Sequence, residues 1–425
     1  MKRAIVLSGG GSKGAYQMGV WKALKKMNLN YDIVTGTSVG ALNGALMVQG
    51  NYFKGVSLWR QLSFKLLFDK ENSDSFKDAL NIKDIYKIYA KNIVLSGGLK
   101  PEQLENTMHK VINEEKIRNS KIDYGMVTVK VPKYEPLCLT KKDIPKGELI
   151  DYLMASATCF PAFQVKKIGD DNFIDGGYYD NMPINLAIDM GASEVIAVDL
   201  NVVEIKQPPK KDIKITYIVP NNKLGSFLIF DSKIAKQNIR YGYNDTLKAF
   251  GKLEGKKYSF KKGQLENNYY KNKERFIKLA KDLSEFNDKN LLDKIIDNQN
   301  LKKICSGNDL QVSKIFNKQV EYLGKVFDLN DSLIYSVNKF NNKLLDRLYQ
   351  IASLDLKLIE KKIKENEIKD LLHTKIIIKY IYDKINDNDL DKKNVRNLLT
   401  IAKFFPKDFL AALYLSSIKY SLFNI

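Results

Sequence analysis

The sequence predicts an α/β half built on a mainly parallel sheet, joined to an all-helical C-terminal region. Three observations carry this. Short apolar runs alternate with helical-period segments through the first half, the βαβα pattern of a parallel sheet with helices on its faces. Two glycine-rich turns fall where such a run gives way to a helical segment, which is where parallel sheets gather their active groups. Beyond about residue 262 glycine nearly vanishes, and Lys, Asn, Leu and Ile recur at helical spacing. The expected domains are therefore 1–262 and 263–425.

Residues 3–8 form the first short buried strand, with Ala-Ile-Val-Leu at its centre, and run into Gly9-Gly10-Gly11-Ser12-Lys13-Gly14. Tyr16, Val20, Leu24 and Met27 then keep helical spacing. Residues 32–35 make a second strand, broken by Gly36-Thr37-Ser38-Val39-Gly40, and a second helix starts near Ala41. Residues 52–120 read as amphipathic helix interrupted at Gly97-Gly98. Strands follow at 126–131, 135–139 and 173–174, the last ending in Asp175-Gly176-Gly177, then at 194–200 and 213–219. In the C-terminal region Leu354, Leu358, Ile359 and Ile363 make one apolar stripe.

The formal charge of the 425-residue chain is +20, and it is unevenly spread. Residues 1–200 carry 26 basic and 22 acidic side chains, and the remainder carries 43 and 27. A basic excess of this kind points to an anionic partner such as a membrane surface, or reflects nothing more than a Lys- and Asn-rich composition. Nucleic acid is not expected, because the Lys runs lack glycine-rich or aromatic platform motifs. Three scattered cysteines, Cys138, Cys159 and Cys305, argue against a disulfide framework and fit a reducing compartment. The N-terminus has too short an apolar run for a signal peptide. No stretch approaches the roughly eighteen apolar residues of a membrane span. A cytoplasmic location is expected.

Gly36-Thr37-Ser38-Val39-Gly40 matches Gly-x-Ser-x-Gly, a pattern that sets a serine on a sharp strand-to-helix turn. Gly36 and Gly40 let the turn close, and the following helix points its positive end at the serine. A base for Ser38 is found by elimination. The two histidines, His109 and His373, lie in polar or basic helical stretches without the setting that a catalytic base needs. Asp175 ends a strand, and Gly176-Gly177 turn the chain away from it. A carboxylate held about 3 Å from a hydroxyl can accept its proton as an oxyanion forms, and partial desolvation raises its basicity.

The loop from Gly9 to Gly14 also fits the Gly-x-Gly-x-x-Gly dinucleotide fingerprint. That use needs an acidic residue at the far end of the second strand, whereas Asp32 opens that strand and the serine turn closes it. The alternative is an oxyanion hole drawn from Gly9, Gly10, Gly11 and Ser12, in which backbone N–H groups converge on one oxygen, with Gly10 and Gly11 the favoured donors.

Together these three elements resemble the patatin-like phospholipase family, with Gly9–Gly14 as its oxyanion loop, Gly36–Gly40 around its nucleophile and Asp175-Gly176-Gly177 holding its dyad acid. Ala155-Ser156-Ala157-Thr158-Cys159-Phe160-Pro161 and Asp180-Asn181-Met182-Pro183 look like the family's flanking segments. Ser8 departs from it, since many relatives carry Asp there. The resemblance covers 1–205 and extends more loosely to about 262, where Gly242-Tyr243-Asn244-Asp245 is similar to the last helical segment of a bacterial member. It implies a three-layer α/β/α sandwich and a cytosolic-type lipid acyl hydrolase that uses a Ser38–Asp175 dyad, with no metal and no cofactor. Its substrate would be a phospholipid or another acyl lipid. A soluble carboxylesterase with the same dyad, or a nucleotide-binding or non-catalytic protein, are the alternatives. For bilayer contact the basic C-terminal region is the candidate, together with Phe404-Phe405-Pro406 and residues 409–415. An apolar helix of that length more often packs in a core.

Overall fold

A computed structural model describes residues 2–79, 81–202, 204–285, 299–352, 374–387 and 392–423. The chain divides into two units, Met1–Phe250 and Gly251–Ile425. In the first, strand β1 (Arg3–Leu7) is shielded from solvent from Ala4 onward, as its unbroken apolar run requires. A single 3₁₀ turn, Gly11–Gly14, leads into helix α1 (Ala15–Lys26). Strand β2 (Ile33–Thr37) feeds helix α2 (Val39–Gln49), two residues earlier than the apolar pattern suggests. The predicted long helical stretch is broken into α3 (Tyr52–Arg60), α4 (Lys70–Lys77), α5 (Ile82–Ser96), α6 (Glu102–Val111) and α7 (Glu114–Arg118). Then come β3 (Asp123–Val131), β4 (Glu135–Thr140), α8 (Leu149–Ser156), β5 (Lys166–Ile168), β6 (Asp171–Asp175), α9 (Ile184–Asp189), β7 (Glu194–Val198), β8 (Lys214–Ile218) and α10 (Ser232–Ala249).

β3, β2, β1, β7 and β8 are parallel neighbours in that order. β4 and β6 run antiparallel to β3, and β5 forms a hairpin with β6. The sheet is thus mixed, with its parallel part on the β1 side. The predicted strand at 173–174 is the end of β6, whereas β5 and the rest of the hairpin escape the sequence reading because only Phe173 to Asp175 are buried along it. Apolar clusters fill both faces. Leu7, Val34 and Ile196 pack under α1 and α2 on one side, and Val6, Ile33 and Val195 pack on Ile184 and Ile188 of α9 on the other.

One register feature matters more than the rest. β4 occupies one edge of β3 along Gly125–Lys130, so β2 and β6 share the other edge. β2 ends there with Thr37 opposite Val127, and β6 ends with Asp175 opposite Thr128. Two strands running in opposite directions therefore bring their C-terminal ends together at adjacent rungs of a third.

In the second unit the helices Gln264–Glu285, Asp309–Val326, Val337–Tyr349, Thr374–Ile385 and Lys392–Phe404 pack on the helix Pro406–Phe423. Phe409 to Leu415 are buried in this core, so that apolar run packs inward. Phe404 remains partly exposed. The unit is not wholly helical. Ile334–Tyr335 pairs with Ser259–Lys261, which pairs with Leu253–Glu254, and this small sheet ties 251–262 into the second unit. The Leu354 to Ile363 stripe and His373 lie outside the described residues.

Candidate active site

The β2–α2 turn is closed by backbone contacts that only glycine permits. A Cβ on Gly36 would lie 2.4 Å from the Gly40 carbonyl oxygen, and one on Gly40 would lie 2.2 Å from that of Leu7. Between them Ser38 adopts φ 56° and ψ −129°. A non-glycine residue held there costs on the order of 1–3 kcal/mol. Ser38 is the N-cap of α2, yet its side chain makes no capping bond. Its hydroxyl instead interacts with the Asp175 carboxylate and favours its ionised form.

Both side chains are buried. Burial pushes the Asp175 carboxyl up to about 7, against the stabilising bonds from Ser38 and from the Gly177 N–H, while the Glu204 carboxylate raises it further. The Gly177 N–H donates to Asp175 Oδ1 at 2.8 Å. His109 is exposed on α6.

The glycine loop divides its amides into two groups. Gly9 N–H donates to the main-chain oxygen and Oδ1 of Asn181, and Ser12 N–H donates to the Phe227 carbonyl. These two, counted with the oxyanion donors from sequence, are committed to holding the loop. The Gly10 and Gly11 amides donate to no protein acceptor among the described residues. Gly11 has φ 53°, and a Cβ there would strike the Phe227 carbonyl at 2.3 Å. Gly14 packs against Val39 and Trp59 as the loop enters α1. Ser8 Oγ accepts the Leu200 N–H at 2.9 Å, a structural role for the hydroxyl. Lys13 is half-buried and within electrostatic reach of Glu204 and Asp199. Asp32 lies at the opposite end of the sheet, accepting the Arg3 N–H, where it cannot serve a nucleotide on the glycine loop.

Three residues that sequence reasoning did not single out support the pair. Ser156, at the end of α8, accepts the Ser38 N–H at 2.9 Å and donates to the Val127 carbonyl at 2.7 Å. Asn181 anchors Gly9. Glu204 lines the cavity beside Asp175. Ser156 and Asn181 stand in the flanking segments noted in the sequence, but their bonds span long separations that no local pattern encodes. Thr158 takes the Asp175 N–H, and Thr37 Oγ1 donates to the Asp180 carbonyl, so both flanks brace the two strand ends.

Two cavities meet this pair. An apolar one of about 90 Å³ reaches from Ser38 and Gly11 between Leu42, Leu46, Leu62 and Met108. A wider one of about 600 Å³ opens from Asp175 and Gly177 past Cys159, Tyr178 and Glu204. Burial pushes the Cys159 thiol up to about 12, so the cysteine beside Asp175 is not a thiolate nucleophile.

Residues 5–188 match the family model described as patatin-like phospholipase. Those residues are a patatin-like phospholipase domain. Human patatin-like phospholipase domain-containing protein 6 is 29% identical over 200 residues, covering 46% of this chain and 13% of that protein. Lysophospholipase nte1 of Aspergillus terreus is 26% identical over 206 residues, covering 48% and 12%. The chain thus spans about an eighth of the length of these relatives. The crystal structure of VipD from Legionella pneumophila aligns over 97% of this chain and 90% of its own, with 14% identity and a TM-score of 0.39. The family match ends inside α9, so β7, β8 and α10 lie beyond it although the same sheet and core include them.

Proposed function

We propose that the chain is a lipid acyl hydrolase of phospholipase A type, acting through Ser38 and Asp175. The observation that carries this reading is a strained, uncapped serine whose hydroxyl interacts with a buried carboxylate, beside an apolar cavity and two amides that donate to no protein acceptor among the described residues. Ser38 Oγ attacks the ester carbonyl while Asp175 takes its proton. The Gly10 and Gly11 amides and the N-terminus of α2 hold the oxyanion. Asp175 returns the proton to the leaving alcohol as the C–O bond breaks and the acyl-enzyme forms. Water, deprotonated by Asp175, then attacks the acyl-enzyme, and Ser38 recovers its proton as the fatty acid leaves. The apolar cavity from Ser38 suits an acyl chain, and the wider cavity suits the rest of the lipid. Peripheral contact with a membrane belongs to the same proposal.

The test combines phospholipid vesicles, a soluble short-chain ester and a fluorophosphonate. Wild-type protein is expected to hydrolyse vesicle lipid faster than the soluble ester, and to be labelled at Ser38. Faster turnover of the soluble ester would make it a carboxylesterase. Absence of labelling together with absence of both activities would remove the hydrolase reading.

A further inference from the structure

The first unit carries a surface that catalysis alone does not explain. On α5, Tyr86, Tyr89, Ala90 and Ile93 line the wider cavity at helical spacing. The same helix face continues outside it at Ile82, four residues before Tyr86, and at Val94, four after Ala90. Val94 and Leu95 are 85% and 71% exposed in the last turn, and Ile82 is exposed as well. Across the cavity mouth Phe160, Tyr178 and Ile205 line the opening and are themselves exposed. Large apolar side chains that ring an opening in this way mark an interaction site more than chance exposure does.

The charges on α5 restrict the partner. Lys83, Lys87 and Lys91 stand on it against a single carboxylate, Asp84, which pairs with Lys87. Lys83 and Lys91 are left over, and Lys100 follows just beyond the helix. An apolar helix end flanked by lysines and tyrosines fits the boundary between headgroups and acyl chains of an anionic leaflet, where aliphatic tips enter and amphipathic rings sit at the headgroup level.

We propose that α5, with the cavity rim it shares, is the surface by which this chain docks on an anionic lipid bilayer. The inference rests on the hydrolase reading for its occupant, because that reading seats part of the lipid in the wider cavity beside Asp175, which this rim borders. It shifts the docking role from the basic C-terminal region to the patatin-like domain. The helix is tied to the site it would serve. Tyr86 OH and Ser226 Oγ share a hydrogen bond of 2.7 Å, and Tyr89 OH donates to the Leu228 carbonyl at 3.3 Å. Between those two residues, Phe227 accepts the Ser12 N–H of the glycine loop.

The decisive experiment is co-sedimentation of the full chain carrying Ser38→Ala, which removes turnover, with phosphatidylcholine vesicles with and without phosphatidylglycerol. Val94→Glu/Leu95→Glu is expected to lower the partition coefficient about tenfold or more on both. Lys83→Glu/Lys91→Glu is expected to lower it about tenfold or more on the anionic vesicles alone. With Ser38 restored, Val94→Glu/Leu95→Glu should lose vesicle hydrolysis to the same degree and keep hydrolysis of a monomeric short-chain ester, which shows an intact site. Unchanged partition of both double variants overturns the proposal. So does a change in self-association of Val94→Glu/Leu95→Glu without a change in partition, which would make the face a contact between copies. If Val94→Glu/Leu95→Glu does not fold, the lysine pair decides. Because sedimentation needs no catalysis, a protein that docks as expected but hydrolyses nothing would sink the hydrolase reading and leave the docking surface standing.

Discussion

Each unit holds a cluster of buried polar groups, and the two clusters are used differently. In Gly251–Ile425, Asn268, Tyr414 and Asn341 close a ring: Asn268 Nδ2 donates to the Tyr414 hydroxyl, that hydroxyl donates to Asn341 Oδ1, and Asn341 Nδ2 donates back to Asn268 Oδ1. Each member satisfies another, which fixes how three helices pack. In Met1–Phe250 the contrasting cluster lies where strands stop. Ser38 is held at a positive φ, Asp175 is desolvated, two loop amides face no protein acceptor among the described residues, and cavities open beside them. The ring uses buried polarity to specify a core, and the strand ends leave it available to a ligand.

Substitutions at the dyad should show the largest contrast. Ser38→Ala and Asp175→Asn are each expected to lower ester hydrolysis by about a thousandfold or more while the protein stays folded, as read by turnover and by circular dichroism. Near-normal turnover in either would break the comparison at its root. Gly40→Ala comes next. Its Cβ would fall 2.2 Å from the Leu7 carbonyl, so a loss of about a hundredfold in turnover and a lowered melting temperature are expected, since backbone must move to admit it. Ala at Gly263, where a Cβ meets nothing within 4 Å, suffers only the strain of φ 80° and should leave turnover unchanged.

The pH dependence follows from Asp175. Its carboxyl is raised to about 7, so kcat/KM on a neutral ester should fall roughly tenfold per pH unit below that value, because the base must be ionised. Stability runs the other way. A carboxyl raised from its unfolded value of 3.8 contributes stability that is present below about pH 4 and lost as the pH rises through about 7. Asp175→Asn should therefore gain stability relative to wild type across that window, by at most about 4 kcal/mol. A gap that stays flat with pH would mean that the native carboxylate is not desolvated. The smallest effect is expected in the second unit. Tyr414→Phe opens the ring and should cost about 1–3 kcal/mol in chemical denaturation, with Ser38 still labelled by a fluorophosphonate.

Much of the site was legible before folding because its demands are local. A turn tight enough to strain Ser38 admits no side chain at Gly36 or Gly40, and a loop that presents amides admits none at Gly10 or Gly11, so composition betrays geometry. The βα alternation was legible for a similar reason, since strands covered on both faces must be apolar throughout. The end of β6 was legible, but β5 and its pairing were not, because the half-exposed residues of β5 carry no such run. The division of labour within the glycine loop was not legible either. Gly9 and Ser12 are spent on Asn181 and Phe227, partners far along the chain.

The sequence by itself determined that there is a serine turn, a glycine loop and an Asp-Gly-Gly strand end, and that no histidine with a suitable setting accompanies them. Only the tertiary structure decided that they meet. Ser38 and Asp175 come together because β4 covers one edge of β3 and leaves the other to be shared, with β2 stopping opposite Val127 and β6 stopping opposite Thr128. Strand register is a pairing of distant segments, set by which faces can be buried together. No local pattern in either strand contains it.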